Sequence, residues 1–193
     1  MAKASGGTRN YSNSPKILKN RRDEYDALMA TGLYNEEYSE FDASGGFVVV
    51  DKGYNRPNEI KSLEDKSEYA IDILIRKGYK LYMNNENSTI EFDKKNDGRI
   101  YQHQFDFKTI NSAGKSSIKR AIEDASKQNV GTVILIQNDR EMKREYVEKQ
   151  IDLFIDKSPI KAVEKINHII VVGMSGNVHR RDIRKDKERR LKK

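Results

Sequence analysis

The stretch from residue 97 to residue 108 reads Asp-Gly-Arg-Ile-Tyr-Gln-His-Gln-Phe-Asp-Phe-Lys, and it carries the clearest structural pattern of the chain. Between Arg99 and Lys108 the residues alternate in character, which is the period of a β-strand with two different faces. One face collects Gln102, Gln104, Asp106 and Lys108, and the other collects Tyr101, His103, Phe105 and Phe107. We therefore predict a strand over 99–108 with an acid and a lysine on its polar face.

This acid and lysine, together with Asp97 across the predicted strand, suit phosphodiester chemistry. Carboxylates bind a hard divalent cation, and an ammonium group stabilises the charge that develops on a phosphate. Every candidate ligand is an oxygen, which favours Mg²⁺. A half-exposed strand with charges facing solvent is the alternative interpretation of Asp106 and Lys108.

The segments around this strand predict an α/β (α+β) domain with a mixed central sheet flanked by helices and a β-meander after the main helix. Helical spacing of apolar residues and helix-ending residues mark the helices, and short apolar runs mark the buried strands. The predicted helices are Pro15–Ala30, Asn58–Lys77, Lys115–Asn129 and Glu141–Asp156. The further predicted strands are Phe47–Val50, Tyr79–Met83, Thr89–Phe92, Thr132–Gln137 and His168–Val172.

Length and composition narrow the class of protein. The chain has 193 residues, which is enough for one domain with a hydrophobic core, and it has no cysteine for disulfides or thiolate metal sites. No apolar run has the length of a signal core or a membrane span, so we expect a soluble protein without a membrane partner.

Positive charge is concentrated at the two ends of the chain. Residues 1–22 contain six lysines and arginines and no acid, and residues 180–193 contain nine against three acids. Because the net charge is +7, the remaining body carries −5. We predict a basic flexible arm over 1–22, one domain over 23–179 and a basic tail over 180–193, with the ends binding a polyanion.

The turn after the first apolar strand contains Lys52, Tyr54 and Arg56, and we assign these residues to substrate binding. Functional groups are common at the carboxyl end of a buried strand, although a solvated turn explains the same residues. In a metal-free ribonuclease they would join Lys108 as phosphate ligands, because RNA supplies its own 2′-hydroxyl nucleophile. His103 could act as a base only on an open face; its aromatic neighbours favour a core histidine.

Two residues of the predicted third helix complete the candidate site. Lys115 lies in Gly114-Lys115-Ser116-Ser117, which lacks the upstream glycine of a phosphate-binding loop, so a nucleotidase is excluded and Lys115 is assigned to substrate binding. Gln128 is expected to orient the substrate or Lys108, or else to cap its helix.

The order of predicted elements, with an Asp-Gly loop before a strand that carries acid-x-Lys, resembles the restriction-endonuclease-like nuclease core with its PD-(D/E)xK motif. Asp97 stands at the first acid, preceded by Asn96 in place of proline, and Asp106 and Lys108 stand at the second acid and the lysine. The resemblance implies that the two acids bind Mg²⁺ and that Lys108 acts on the attacking water or the transition state. It also implies catalytic roles for Gln128, which matches a glutamine of some branches, and for Glu68 as an extra acid.

Residues from about Gly45 to Gln137 look more specifically like the C-terminal toxin domains of contact-dependent growth inhibition and related polymorphic toxin systems, a group rich in tRNA-cleaving nucleases. Those domains often carry a histidine in the turn where this chain has Tyr54. Part of the group has a barnase-like fold and cleaves RNA without metal.

The resemblance implies a small toxin-type nuclease of phage or mobile-element origin that cleaves tRNA-like RNA or DNA, with RNA favoured. The expected location is the cytoplasm of the host bacterium or a virion, and the expected partners are nucleic acid and an immunity protein or virion component. The alternative is a non-catalytic nucleic-acid-binding or virion-associated protein on the same scaffold.

Overall fold

The computed structural model describes residues 14–53, 66–84, 96–128, 130–140 and 142–191, and these residues form an α+β fold with a mixed eight-stranded sheet and six helices. The strands are β1 (Glu40–Phe41), β2 (Phe47–Val50), β3 (Lys80–Met83), β4 (Gly98–Ile100), β5 (His103–Ile110), β6 (Thr132–Gln137), β7 (His168–Val172) and β8 (Val178–Asp182). The helices are α1 (Pro15–Ala30), α2 (Lys66–Arg76), α3 (Ser117–Lys127), α4 (Arg144–Lys157), α5 (Ile160–Lys165) and α6 (Arg184–Leu191). The predicted fold class is confirmed.

The eight strands follow one another across the sheet in chain order. The β2–β3, β5–β6 and β6–β7 pairs are parallel, and the other pairs are antiparallel. The antiparallel run β3–β4–β5 follows α2, so the predicted meander is present.

Two hydrophobic clusters pack on opposite faces of this sheet. Under α2 lie Val48, Leu81, Phe105, Ile134, Ile170 and Val172. Against α3, α4 and α5 lie Ile110, Val133, Leu135, Ile169 and Val171. Because strand side chains alternate between faces, Asp106 and Lys108 point to the side of α3, whereas Phe105 and Phe107 point to the side of α2.

The predicted single strand over 99–108 is a hairpin instead. β4 ends at Ile100, Tyr101 and Gln102 form the turn, and β5 begins at His103. Tyr101 adopts a left-handed backbone with φ 57°, which reverses the chain direction. The polar face shared by Gln104, Asp106 and Lys108 is real, but Gln102 lies outside it.

Other predicted boundaries also change. The segment assigned to a basic tail contains most of β8 and all of α6, because β8 pairs with β7 over its full length and Ile183 is buried behind it. Residues 15–22, assigned to the flexible arm, belong to α1. The short helix α5 was not predicted, and the predicted strand Thr89–Phe92 and the predicted helix start at Asn58 lie outside the described residues.

Within the described ranges, no helix is long and apolar enough to cross a membrane.

Candidate active site

The hairpin brings Asp97 beside Asp106, although the two residues are nine positions apart in sequence. Gly98 pairs with Phe105 across the β4–β5 ladder, so Asp97 lies just ahead of β4. The Asp97 N–H donates to the Phe105 carbonyl at 3.1 Å. The Phe107 N–H donates to Asp97 Oδ2 at 2.6 Å, so the carboxyl group takes the place of the next backbone acceptor in the ladder.

Neighbouring residues hold the backbone that leads from Asn96 into β4. Asn96 is 6% exposed and accepts a hydrogen bond from Asn84 Nδ2 at 2.5 Å, while the Asn84 N–H donates to the Asp97 carbonyl at 3.1 Å. A side chain at Gly98 would place its Cβ 2.3 Å from the Tyr82 carbonyl oxygen. The glycine therefore allows close strand approach, and the buried asparagine holds the loop that leads into β4.

Lys108 pairs with the second acid. Its Nζ lies 2.5 Å from Asp106 Oδ2, and the Lys108 side chain is 24% exposed whereas that of Asp106 is 7% exposed. The predicted Asp97, Asp106 and Lys108 thus converge: a buried acid pair with one ammonium group at its solvent side.

The surroundings of the two carboxyl groups favour retention of a proton. Burial is the main cause that raises the pKa of Asp97 to about 7, and the adjacent Asp106 raises it further, against the hydrogen bond from the Phe107 N–H. Burial also raises the pKa of Asp106, while Lys108 lowers it. Since the carboxyl groups are hydrogen-bonded to each other and Lys108 favours an ionised Asp106, Asp97 is the acid on which protonation is favoured.

A cavity of about 350 Å³ opens beside Lys108, between the end of β5 and α3. Its lining includes Lys108, Asn111, Ser112, Ser117, Arg120 and Asp124. Lys108 therefore lines a space large enough for a phosphate group and part of a nucleotide. Arg120 was not predicted as a site residue, because an exposed arginine on a helix carries no signal in sequence.

Among the described residues, no group of three or more acidic, histidine or cysteine side chains is placed to hold a metal. Within this part of the chain, Asp97 and Asp106 therefore have no third such ligand beside them. Glu68 lies in the first turn of α2, on the opposite side of the sheet from Asp106. A cation bound here would take two carboxylates and complete its shell with water, substrate or backbone oxygens, which is a usual arrangement for Mg²⁺.

The other described residues of the predicted site lie at the two ends of α3 and after β2. Gln128 is half-buried at the carboxyl end of α3, where its N–H donates to the Ala125 carbonyl at 2.9 Å. Lys115 is exposed just before α3. Lys52 is exposed after β2, at the same edge of the sheet as Asp97 and two strands away. Tyr54 and Arg56 lie outside the described residues. The roles of these residues remain predictions.

No protein-family profile and no curated protein matches this chain. Among solved structures, the fold is similar to a chain of the CdiA-CT/CdiI toxin and immunity complex from Burkholderia pseudomallei, with 19% sequence identity and a TM-score of 0.47. The similarity covers 61% of this chain and 82% of that chain. This score is too low to establish a common fold, so function has to be inferred from the site itself.

Proposed function

We propose that this chain is a small nuclease that hydrolyses phosphodiester bonds of nucleic acid at the Asp97–Asp106–Lys108 site. One observation carries the proposal: two adjacent acids, of which Asp97 has a pKa raised mainly by burial, lie against a lysine that lines an open cavity. Burying two adjacent carboxyl groups is costly in free energy, and perturbed pKa values of this kind are typical of functional sites. Asp97 lies directly before the first strand of the hairpin and Asp106 lies in the second, which makes the site rigid.

The chemistry follows from the environments of the three side chains. Asp106 lies deepest and is held ionised by Lys108, so it is suited to accept a hydrogen bond from an attacking water. Lys108 reaches toward solvent and is suited to stabilise negative charge on the phosphate. Asp97, with a pKa near neutrality, can release or take up a proton at working pH.

The acid pair also fits a divalent cation. Two carboxyl groups whose surroundings otherwise favour retention of a proton would both ionise around a bound Mg²⁺, and their hard oxygens suit this ion. Asp97 and Asp106 would hold it. When bound, Mg²⁺ supplies Lewis-acid stabilisation of phosphate charge.

RNA is the favoured substrate in this proposal, with tRNA-like molecules first, because the motifs resemble those of tRNA-cleaving toxin domains. The same resemblance extends the proposal to a phage or mobile-element toxin that acts in the bacterial cytoplasm and is blocked by an immunity protein. The basic terminal residues supply affinity for nucleic acid that is independent of base sequence.

The direct experiment incubates purified protein with total tRNA and with plasmid DNA, in Mg²⁺ or in chelator. The variants are Asp106→Asn and Lys108→Met, which remove one charge each from the site. Asp23→Asn and Lys19→Met are matched controls, since they make the same changes in an exposed pair on α1 whose charged atoms lie 3.2 Å apart. We expect cleavage in Mg²⁺ to fall at least about 100-fold in the site variants and to be unchanged in the controls.

The outcomes separate the alternatives. Cleavage that survives both site variants would place the chemistry elsewhere, and cleavage that survives chelator would indicate a metal-free ribonuclease. Nucleic acid that is bound in a gel-shift assay but never cleaved would favour the non-catalytic binding protein.

A further inference from the structure

A second group of polar side chains lies on the other face of the sheet, at the amino ends of β5, β6 and β7. We call it the histidine cluster; it consists of Tyr101, His103, Thr132, His168 and Arg180. The ring centroids of His103 and His168 are 5.2 Å apart, and those of Tyr101 and His168 are 5.7 Å apart. The Arg180 guanidinium carbon lies 4.5 Å from the centre of the Tyr101 ring.

The backbone is shaped to bring these side chains together. A Cβ at Gly131, just before β6, would lie 2.9 Å from His103 Nδ1, so only glycine lets the His103 ring lean across β6 toward His168. The left-handed turn at Tyr101 directs its ring over the same place. Such conformations in residues other than glycine cost about 1 kcal/mol and are common at functional sites.

Several buried polar atoms of the cluster lack partners. Thr132 Oγ1, Arg180 Nε and both ring nitrogens of His168 make no hydrogen bond within the part of the chain that the structure describes. Thr132 is fully buried and the His168 side chain is 5% exposed. The nearest carboxylate oxygen, Asp182 Oδ2, is 3.7 Å from His168 Nε2, too far for a hydrogen bond, and Arg184 already pairs with Asp182. Buried polar groups are almost always hydrogen-bonded, so these atoms are suited to bind a ligand or an ordered water.

The charges around the cluster favour an anionic ligand. Burial, followed by the cations Arg180 and Arg184, lowers the pKa of His168 to about 4, with Asp182 acting in the opposite direction. Burial and the cations Arg184, Lys187 and Arg180 lower the pKa of His103 as well. The cations of β8 and α6 therefore act on both histidines more strongly than Asp182 does, which favours a bound anion.

His103 is the partly exposed histidine of the cluster, whereas His168 and Thr132 are buried. His103 also lines a cleft of about 400 Å³, whose rim carries Arg99 and Lys165. Cations at the rim of a cleft raise the local concentration of anions.

We propose that the histidine cluster binds a phosphate group, with Arg180, Thr132 and His168 donating hydrogen bonds to its oxygens. Arginine provides a rigid set of donors that matches phosphate, and the hydroxyl and imidazole groups are neutral donors of suitable size. The phosphate is either free or the terminal phosphate of a nucleic acid strand. This site is on the opposite face from the Asp97–Asp106 pair, and the proposal does not depend on nuclease activity.

Histidine NMR gives a direct test, because the chain contains three histidines and one of them is an internal control. His179 is not part of the cluster and pairs with Glu148 at 2.6 Å. Titrations of the ring C–H signals are compared in chloride and in inorganic phosphate at equal ionic strength. We expect phosphate to raise the pKa of His168 and His103 by about one pH unit or more and to leave that of His179 unchanged.

Two further comparisons identify the source of the phosphate and test the role of Arg180. A 5′-phosphorylated trinucleotide is compared with its dephosphorylated form; a shift with inorganic phosphate alone indicates a free ligand, and a shift with the phosphorylated strand alone indicates a strand end. Arg180→Gln should weaken phosphate binding at least about tenfold relative to Arg189→Gln. No selective shift of His168 in the folded wild-type chain, with any of these phosphates, would overturn the proposal.

Discussion

Replacing Asp97 by asparagine tests whether Asp97 retains a proton, because asparagine has the shape of the protonated acid. Its side-chain oxygen can accept from the Phe107 N–H, and its amide can donate to Asp106. In the wild-type chain the pKa of Asp97 is about 7, against an ordinary value of 3.8. A raised pKa of an acid means that folding favours the protonated form, so this contribution to stability is complete below about pH 4 and is lost as pH rises through 7.

The magnitude follows from the two pKa values. Their difference, at about 1.4 kcal/mol for each pH unit, corresponds to a loss of about 4 kcal/mol in the free energy of unfolding by pH 8. Asparagine does not ionise, so Asp97→Asn should equal the wild type near pH 4 and exceed it by about 2–4 kcal/mol at pH 8. The same substitution should abolish cleavage, as expected where function is maintained at a cost in stability.

The assay is urea unfolding followed by circular dichroism between pH 4 and pH 8, in chelator so that bound metal does not contribute. Asp23→Asn, in the exposed pair on α1, is the control and should follow the wild type throughout. If the curves of Asp97→Asn and the wild type run parallel across this pH range, Asp97 does not retain the proton.

Three further predictions concern the scaffold. Gly46→Ala should destabilise the chain by more than about 3 kcal/mol, because the new Cβ would lie 1.9 Å from the Ile75 carbonyl oxygen. Urea unfolding should show a smaller cost of about 1 kcal/mol for Gly32→Ala, whose Cβ meets no atom within 4 Å but whose φ of 71° favours glycine. Arg181→Met should cost about 2 kcal/mol in the same assay, since the guanidinium pairs with three carboxylates of α4 and α6, and a cost below that of an exposed arginine would contradict this. The free energy of unfolding of Tyr101→Gly should exceed that of Tyr101→Ala by about 1 kcal/mol, because both variants lose the ring and only glycine suits φ 57°. Equal free energies of unfolding would show that the backbone at this turn is not strained.

The strand pattern was sufficient to identify the charged part of the site but not its geometry. Alternation places Asp106 and Lys108 on one face, and the structure agrees. The pattern continues unbroken through Tyr101, where no Gly, Pro, Asn or Asp signals a turn, so the hairpin that brings Asp97 to Asp106 could not be read from it.

Other features depend on contacts between distant residues. β8 is an edge strand whose middle residues are His179, Arg180 and Arg181, and such a charged segment resembles a tail in sequence although it pairs with β7. The strand predicted to start at His168 is a buried one, and His168 is buried, but the packing of its ring beside Tyr101 and Arg180 is determined only by the fold.

The central claim is that Asp97 and Asp106 form a cation-binding acid pair at a phosphodiesterase centre, and proton-linked Mg²⁺ binding tests it most directly. Calorimetric titration of the wild-type chain with Mg²⁺, repeated in buffers of different ionisation enthalpy, measures the protons released. With a pKa of about 7, Asp97 should release about half a proton for each ion at pH 7 and nearly one at pH 6, and Asp97→Asn should release none. Saturable binding without proton release, or the same release from Asp97→Asn, would contradict the account.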